Sequence, residues 1–189
     1  MSDRPVVIDS SVALAIILKE PEAVLAVATM RDWVRTRRER VVPDLFWYEV
    51  ANALMRKHGF SSLQVVEAIH QIEQFGLRTI HPERSTLWLV VDRTERHGLT
   101  TYDALFLATA ETLKADLATL DRSLQRAAAP WVVTFEDGHR LNETPAVYEH
   151  DVTWPSYARA SSYLAELRAR ARDAATERAT DAGRAAPAR

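Results

Sequence analysis

Five short apolar runs of strand length are spaced through the first 135 residues by longer stretches with helical periodicity. They are Val6 to Ile8, Arg40 to Val42, Leu77 to Ile80, Leu117 to Leu120 and Trp131 to Phe135. Helical spacing covers Val12 to Leu18, Glu22 to Arg37, Leu45 to Lys57, Leu63 to Phe75, Arg84 to His97, Tyr102 to Lys114 and Ser123 to Ala128. Parallel strands cannot be joined by a tight turn and need a crossover, which a helix usually supplies. Strands separated by helices therefore predict a parallel sheet covered on both faces, a three-layer α/β/α domain over residues 1–140. Pro21 suits the start of the second helix, Gly59 the end of the third, Ser61 or Ser62 the cap of the fourth, and Gly76 its terminator.

Composition narrows the function classes. The chain has 189 residues, 47% of them hydrophobic, enough for one ordinary core. With no cysteine it can have no disulfide framework, thiolate metal site or cysteine nucleophile. Six histidines, His58, His70, His81, His97, His139 and His150, lack the paired spacing of a zinc helix, and no glycine-rich phosphate loop is present. No run approaches a membrane span, and the expectation is a soluble, cytoplasmic protein. A net charge of -2 gives no global attraction for nucleic acid, so any such binding needs a local basic patch. One basic run, RDWVRTRRER from Arg31 to Arg40, is available, although the solvated face and C-terminal end of a helix explain it better. After about Leu141 the composition changes, and residues 141–189 are expected to be an extension. Tyr157, Ala160, Leu164, Leu167 and Ala171 space a single amphipathic helix within it, and the end past about Thr176 is expected to be disordered.

Four carboxylates stand out. Asp9 follows the first strand and Asp121 follows the fourth, at the strand ends where open α/β sheets bind ligands. Asp103 lies in the first turn of the apolar helix LTTYDALFLATA. Each has an ordinary alternative as a helix cap or a partner of the helix dipole, with Thr100 and Asp103 fitting a cap pattern. Glu49 is harder to explain that way, because Leu45, Phe46, Trp47, Val50, Ala51 and Leu54 surround it in a mostly apolar helix. Together the four stand on elements that can converge at one end of a parallel sheet, without an obvious set of cations, and clustered carboxylates repel unless a divalent cation is bound. Magnesium and manganese prefer such oxygen ligands.

The stretches VIDSSVALA, VPDLFWYEVANALMR, LTTYDALFLATA and LATLDRSL, in this order, closely resemble the PIN-domain nucleases, in particular the VapC-type toxins of type II toxin-antitoxin systems. The resemblance runs from about Val6 to Phe135, and the extension is the main departure from it. It implies that Asp9, Glu49, Asp103 and Asp121 are an acidic quartet holding Mg²⁺ or Mn²⁺, with Ser10, Thr119 and Asn52 supporting them. The implied reaction is hydrolysis of RNA to products with a 5′-phosphate and a 3′-hydroxyl, with an antitoxin protein and a second copy of the chain as implied partners. Arg31, Arg35, Arg38, Arg56, Lys57 and Arg122 could then pair with phosphates, and Trp47 or Tyr48 could stack on a base unless they belong to the core. Two rival readings are a PIN-fold binding module that does not cleave, and a receiver-like switch. The second lacks a lysine after the fourth strand, because Lys114 precedes it.

Overall fold

The computed structural model describes residues 4–129, 131–133 and 135, so the expected extension, with its helix from Tyr157, lies outside the described residues. The sheet contains β1 (Val6–Ile8), β2 (Arg40–Pro43), β3 (Arg78–Ile80), β4 (Asp116–Ala118) and β5 (Val132–Val133) in the order β3-β2-β1-β4-β5. All four pairings are parallel, as the alternation predicts. Helices α1 (Ser10–Leu18) and α2 (Ala23–Arg35) join β1 to β2, and α3 (Leu45–Arg56) and α4 (Ser62–Glu73) join β2 to β3. Helices α5 (Arg84–His97) and α6 (Thr101–Leu113) return to β4, and α7 (Arg122–Ala128) leads to β5.

Chain direction sets the layers. The first two crossovers step outward from β1 to β3, the third doubles back to β4, and right-handed connections then put α1–α4 on one face and α5–α7 on the other. The helices pack accordingly: α1 against α2 and α3, α3 against α4, and α6 against α5 and α7. The reversal falls between β1 and β4, and a crevice opens there at the carboxyl ends of the strands.

Local sequence explains these elements. β1 is buried along its whole length, so it reads as an unbroken β-branched run rather than an alternating one. The inner face of α6 carries Ala104, Phe106, Leu107, Ala108 and Ala110, whose small members let the helix lie close on the central strands. β3, at the sheet edge, exposes Arg78 and Thr79, and Arg78 donates to Glu39 at 2.6 Å; a charged edge resists pairing with another chain. Ser61 caps α4 in a reciprocal capping box with Gln64, and Gly76 follows that helix with φ +64°.

Element ends differ from expectation by a residue or two, each for a local reason. Pro21 lies in the turn before α2 rather than at its first position. α2 stops at Arg35, with the left-handed Arg37 close behind at φ 57°. β4 ends at Ala118 because its partner β1 ends at Ile8, which frees Thr119 and Leu120 to form a loop.

Arg38 fastens the amino ends of the strands. Its guanidinium pairs with Asp116, donates through Nε to the Arg4 carbonyl at 2.8 Å, and lies over the Trp33 ring at 5.2 Å from the centroid. Removing Arg38 leaves the largely buried Asp116 carboxylate only the longer contact with the more exposed Arg4, at 3.5 Å. Arg38→Ala is therefore expected to lower the unfolding free energy by about 2–4 kcal/mol, and the exposed Arg35→Ala by less than about 0.5 kcal/mol, both read from urea denaturation. Equal effects would remove Arg38 from this role.

Candidate active site

Asp9 occupies the N-cap position of α1 but does not cap it, since its side chain makes no capping hydrogen bond. The carboxylate is 4% exposed and turns instead toward two hydroxyls. Ser11 Oγ and Thr119 Oγ1 both donate to Oδ2, the latter at 2.8 Å. Ser11 Oγ in turn accepts from the Leu120 backbone N–H at 3.0 Å, and Thr119 Oγ1 from that of Asp121 at 3.0 Å. These bonds tie the β1–α1 turn to the β4–α7 turn across the crevice. Each hydroxyl spends its single proton on Asp9, and backbone N–H groups fill its accepting side.

Two more carboxylates reach the same place. Glu49 arrives from α3 on one face of the sheet and Asp103 from α6 on the other, and both act electrostatically on Asp9 or on each other. The Ser10 hydroxyl serves Glu49, while its oxygen lies 3.5 Å from Asp9 Oδ1, at the outer limit of a hydrogen bond. Asp103 also belongs to the helix start: Thr100 Oγ1 donates to its Oδ2 at 2.7 Å and accepts from its backbone N–H at 3.1 Å. The cap explanation is thus true of Asp103 without excluding a second role.

Asp121 is placed differently. Its Oδ1 accepts from the Ser123 and Leu124 backbone N–H groups, both at 2.8 Å, and caps α7. Its backbone joins the cluster through Thr119, but its charge contributes to neither the Asp9 nor the Glu49 shift. Asn52, one turn after Glu49, is exposed and bonds neither Asp9 nor Glu49.

Burial pushes the Asp9 carboxyl up, against the hydrogen bonds of Ser11 and Thr119 and the backbone of Ser10, and the charge of Asp103 adds to the rise. Burial likewise raises Glu49 to about 7, opposed by Ser10 and assisted by Asp9 and Asp103. Among the described residues no lysine or arginine contributes to either shift. An anionic cluster left without a cation suits a divalent ion, and the donors, all oxygen, are those that Mg²⁺ and Mn²⁺ prefer. Among the described residues, no three carboxylates or histidines by themselves form a closed cage for an ion. Magnesium commonly keeps several waters and takes one or two carboxylates directly, so a partial cage is compatible with it.

The expected phosphate-binding residues do not gather here. Arg38 lies at the amino ends of the strands, bound to Asp116 at the start of β4, whereas Asp9 follows the last residue of β1. Arg35 ends α2 near that same far side and pairs with Asp32 at 2.6 Å; Arg31 is exposed one turn earlier. Arg56 and Lys57 are exposed at the distal end of α3, and the exposed Arg122, next to Asp121, is the one beside the cluster. Trp47 is half-buried, edge-on to Phe46 at 4.9 Å, with Nε1 donating to Thr79 at 2.9 Å, while Tyr48 is exposed. Ser11 is a member of the site that the sequence reading does not single out. Its signal was the i, i+2 spacing from Asp9, which lets a hydroxyl reach back to a carboxylate.

A parallel α/β domain with acids meeting at the switch point of its sheet sets the class of fold and site, and a family follows from its likeness to known proteins. The PIN domain profile matches residues 6–130, and the chain belongs to that family. It is 35% identical over 85 residues to Ribonuclease VapC3 of Pyrobaculum aerophilum, a match that spans 43% of this chain and 65% of that protein. A toxin-antitoxin complex from Klebsiella pneumoniae shares the fold with a TM-score of 0.53 and 19% identity, covering 69% of this chain and 98% of that one. VapC20 of Mycobacterium tuberculosis, described as a sarcin-ricin loop cleaving toxin, shares it with a TM-score of 0.53 and 16% identity, covering 65% of this chain and 94% of that one.

The raised carboxyls predict how the metal-free chain responds to pH. Glu49 titrates near 4.5 when unfolded and at about 7 when folded, so between these values the folded chain holds more protons and loses stability as pH rises. In EDTA, Glu49→Gln should remove part of the fall in melting temperature between about pH 5 and about pH 7.5. Parallel wild-type and variant curves would contradict the assignment.

Proposed function

We propose that this chain is a metal-dependent endoribonuclease and the toxin component of a type II toxin-antitoxin system. The observation that carries the proposal is the cluster of Asp9, Glu49 and Asp103, gathered from both faces of the sheet at its switch point without a compensating cation. Membership of the PIN domain family and the likeness to Ribonuclease VapC3 support RNA as the substrate.

In this reading Asp9 and Asp103 are the principal ligands of a Mg²⁺ or Mn²⁺ ion, with Glu49 and Asp121 binding a second ion or holding coordinating water. Such an ion, when bound, would lower the pKa of water and offset charge on the phosphate. The chain's own part is positional and protonic. Ser11 and Thr119 fix the Asp9 carboxylate by hydrogen bonds to Oδ2. Glu49, whose carboxylate lies with Asp9 and Asp103, would take the proton from the attacking water. The water oxygen would bond to phosphorus, the bond to the 3′ oxygen would break with a proton passing to that oxygen, and the products would carry a 5′-phosphate and a 3′-hydroxyl.

An antitoxin that covers the acidic crevice, a homodimeric toxin and a cytoplasmic location complete the proposal. The described residues contain no helix long and apolar enough to cross a membrane.

The test is cleavage of a structured RNA panel by the full chain with Mg²⁺ or Mn²⁺, beside an EDTA control. Asp103→Asn is expected to lower the rate by on the order of 100-fold or more. Asp121→Asn should cost about 10-fold, because asparagine still caps α7. Metal-independent cleavage, or Asp103→Asn at wild-type rate, would defeat the proposal.

A further inference from the structure

A cleft of about 210 Å³ lies between the end of α5 and the outer face of α7, lined by His97, Gly98, Ser123, Arg126 and Ala127. His97 is the last residue of α5, and Gly98 turns the chain toward α6 with φ +63°. Ser123, Arg126 and Ala127 are spaced i, i+3 and i+4, so they share one face of α7. Water occupies about 30 Å³ per molecule in the liquid, so the cleft has room for a small polar group and part of its hydration.

The polar side chains of the lining are hydrogen-bond donors, and none is a carboxylate. Arg126 Nη2 donates to Ser123 Oγ at 3.0 Å, which fixes the guanidinium along the helix face. That oxygen accepts, so the Ser123 hydroxyl keeps its proton for another acceptor. The His97 imidazole carries at least one ring N–H whether neutral or charged. Among the described residues no acid pairs with Arg126, whereas Arg38, Arg78 and Arg93 each meet one. An arginine steadied by a hydroxyl keeps its charge for a ligand.

Hydrogen bonds connect the cleft to the carboxylates. The Ser123 backbone N–H donates to Asp121 Oδ1 at 2.8 Å, the Asp121 N–H to Thr119 Oγ1 at 3.0 Å, and Thr119 Oγ1 to Asp9 Oδ2 at 2.8 Å. On the other wall Thr100, two residues past Gly98, caps α6 and holds Asp103.

We infer that this cleft binds a phosphate of the RNA chain next to the one being cut, with Arg126, Ser123 and His97 as its donors. The inference rests on the ribonuclease reading and supplies the local positive site that a net charge of -2 requires. The run from Arg31 to Arg40 cannot supply it, because it leads into β2 at the opposite end of the sheet. A phosphate offers only acceptor oxygens, and a guanidinium can meet two of them at once. Phosphate contacts fix register and carry no sequence information, so the cleft positions the scissile bond and leaves target choice to other contacts.

The test follows binding of a fluorescently labelled RNA oligomer to the full chain in EDTA over a range of salt concentrations. Arg126→Ala is expected to weaken binding about 10-fold at low salt. It should also reduce the slope of log K against log salt by about 0.7, the share of one phosphate contact on a single strand. Arg126→Lys keeps the charge and should keep the slope, and Arg84→Ala, exposed at the start of α5, should stay close to wild type. An oligomer of the same sequence with uncharged methylphosphonate linkages should bind wild type and Arg126→Ala alike. No binding by the wild type, equal losses in Arg84→Ala and Arg126→Ala, or a loss that persists on the uncharged oligomer would each overturn the inference. So would inorganic phosphate that binds the wild type and not Arg126→Ala while RNA binding stays the same in both, which would make the cleft a site for the free anion. Cleavage assayed in parallel with Mn²⁺ separates the two readings. Arg126-dependent binding without metal-dependent cleavage keeps the phosphate cleft and removes the nuclease, and cleavage with an unchanged KM in Arg126→Ala does the reverse.

Discussion

The carboxylate of Asp9 is closed off from water between the hydroxyls of Ser11 and Thr119, and no positive side chain among the described residues meets its charge. Burying an ion that way is costly by several kcal/mol even after the protein relaxes. The two hydroxyls return part of that cost and impose a geometry, because each belongs to a different βα turn. Parallel pairing of β1 with β4 brings those turns together, and the reversal of strand order leaves the space above them open. The sheet topology and the carboxylate's environment are thus one constraint seen at two scales.

Helix starts carry much of the surrounding chemistry. Asp103 and Asp121 both satisfy backbone groups at helix N-termini, through Thr100 in one case and directly in the other. Asp9 occupies the same formal position and forgoes the capping bond. Residue type and position are alike in Asp9 and Asp121; the neighbours differ. Hydroxyls from a second turn take the Asp9 side chain, whereas the Asp121 side chain folds back onto its own helix. The Asp9 carboxylate is therefore held between two turns, and that of Asp121 on its own helix.

Much of the architecture was legible because parallel strands buried on both faces leave unbroken apolar runs, as Val6 to Ile8 does. The helix parse followed from periodicity and punctuation, and the limits of α5 fell where the pattern put them. Asp9, Glu49 and Asp103 were visible as acids at strand ends or in apolar helices. Ser11 was not, because a serine near a helix start has an ordinary explanation that hides a hydroxyl aimed backwards. Arg38 was misleading within its run: nothing local distinguishes it from Arg35, yet Asp116, 78 positions away, draws it into a part-buried pair. Tyr48 and Tyr102 sit in apolar helices, where sequence favours burial and only packing shows which side chains turn outward.

Whether the cluster around Asp9 holds a divalent cation, as proposed, is read by titrating Mn²⁺ into the full chain and following it by electron paramagnetic resonance. Saturable uptake is expected of the wild type, lost in Asp9→Asn and weakened in Asp103→Asn, with each variant still folded by circular dichroism. Equal uptake by wild type and Asp9→Asn, or none by either, would contradict it.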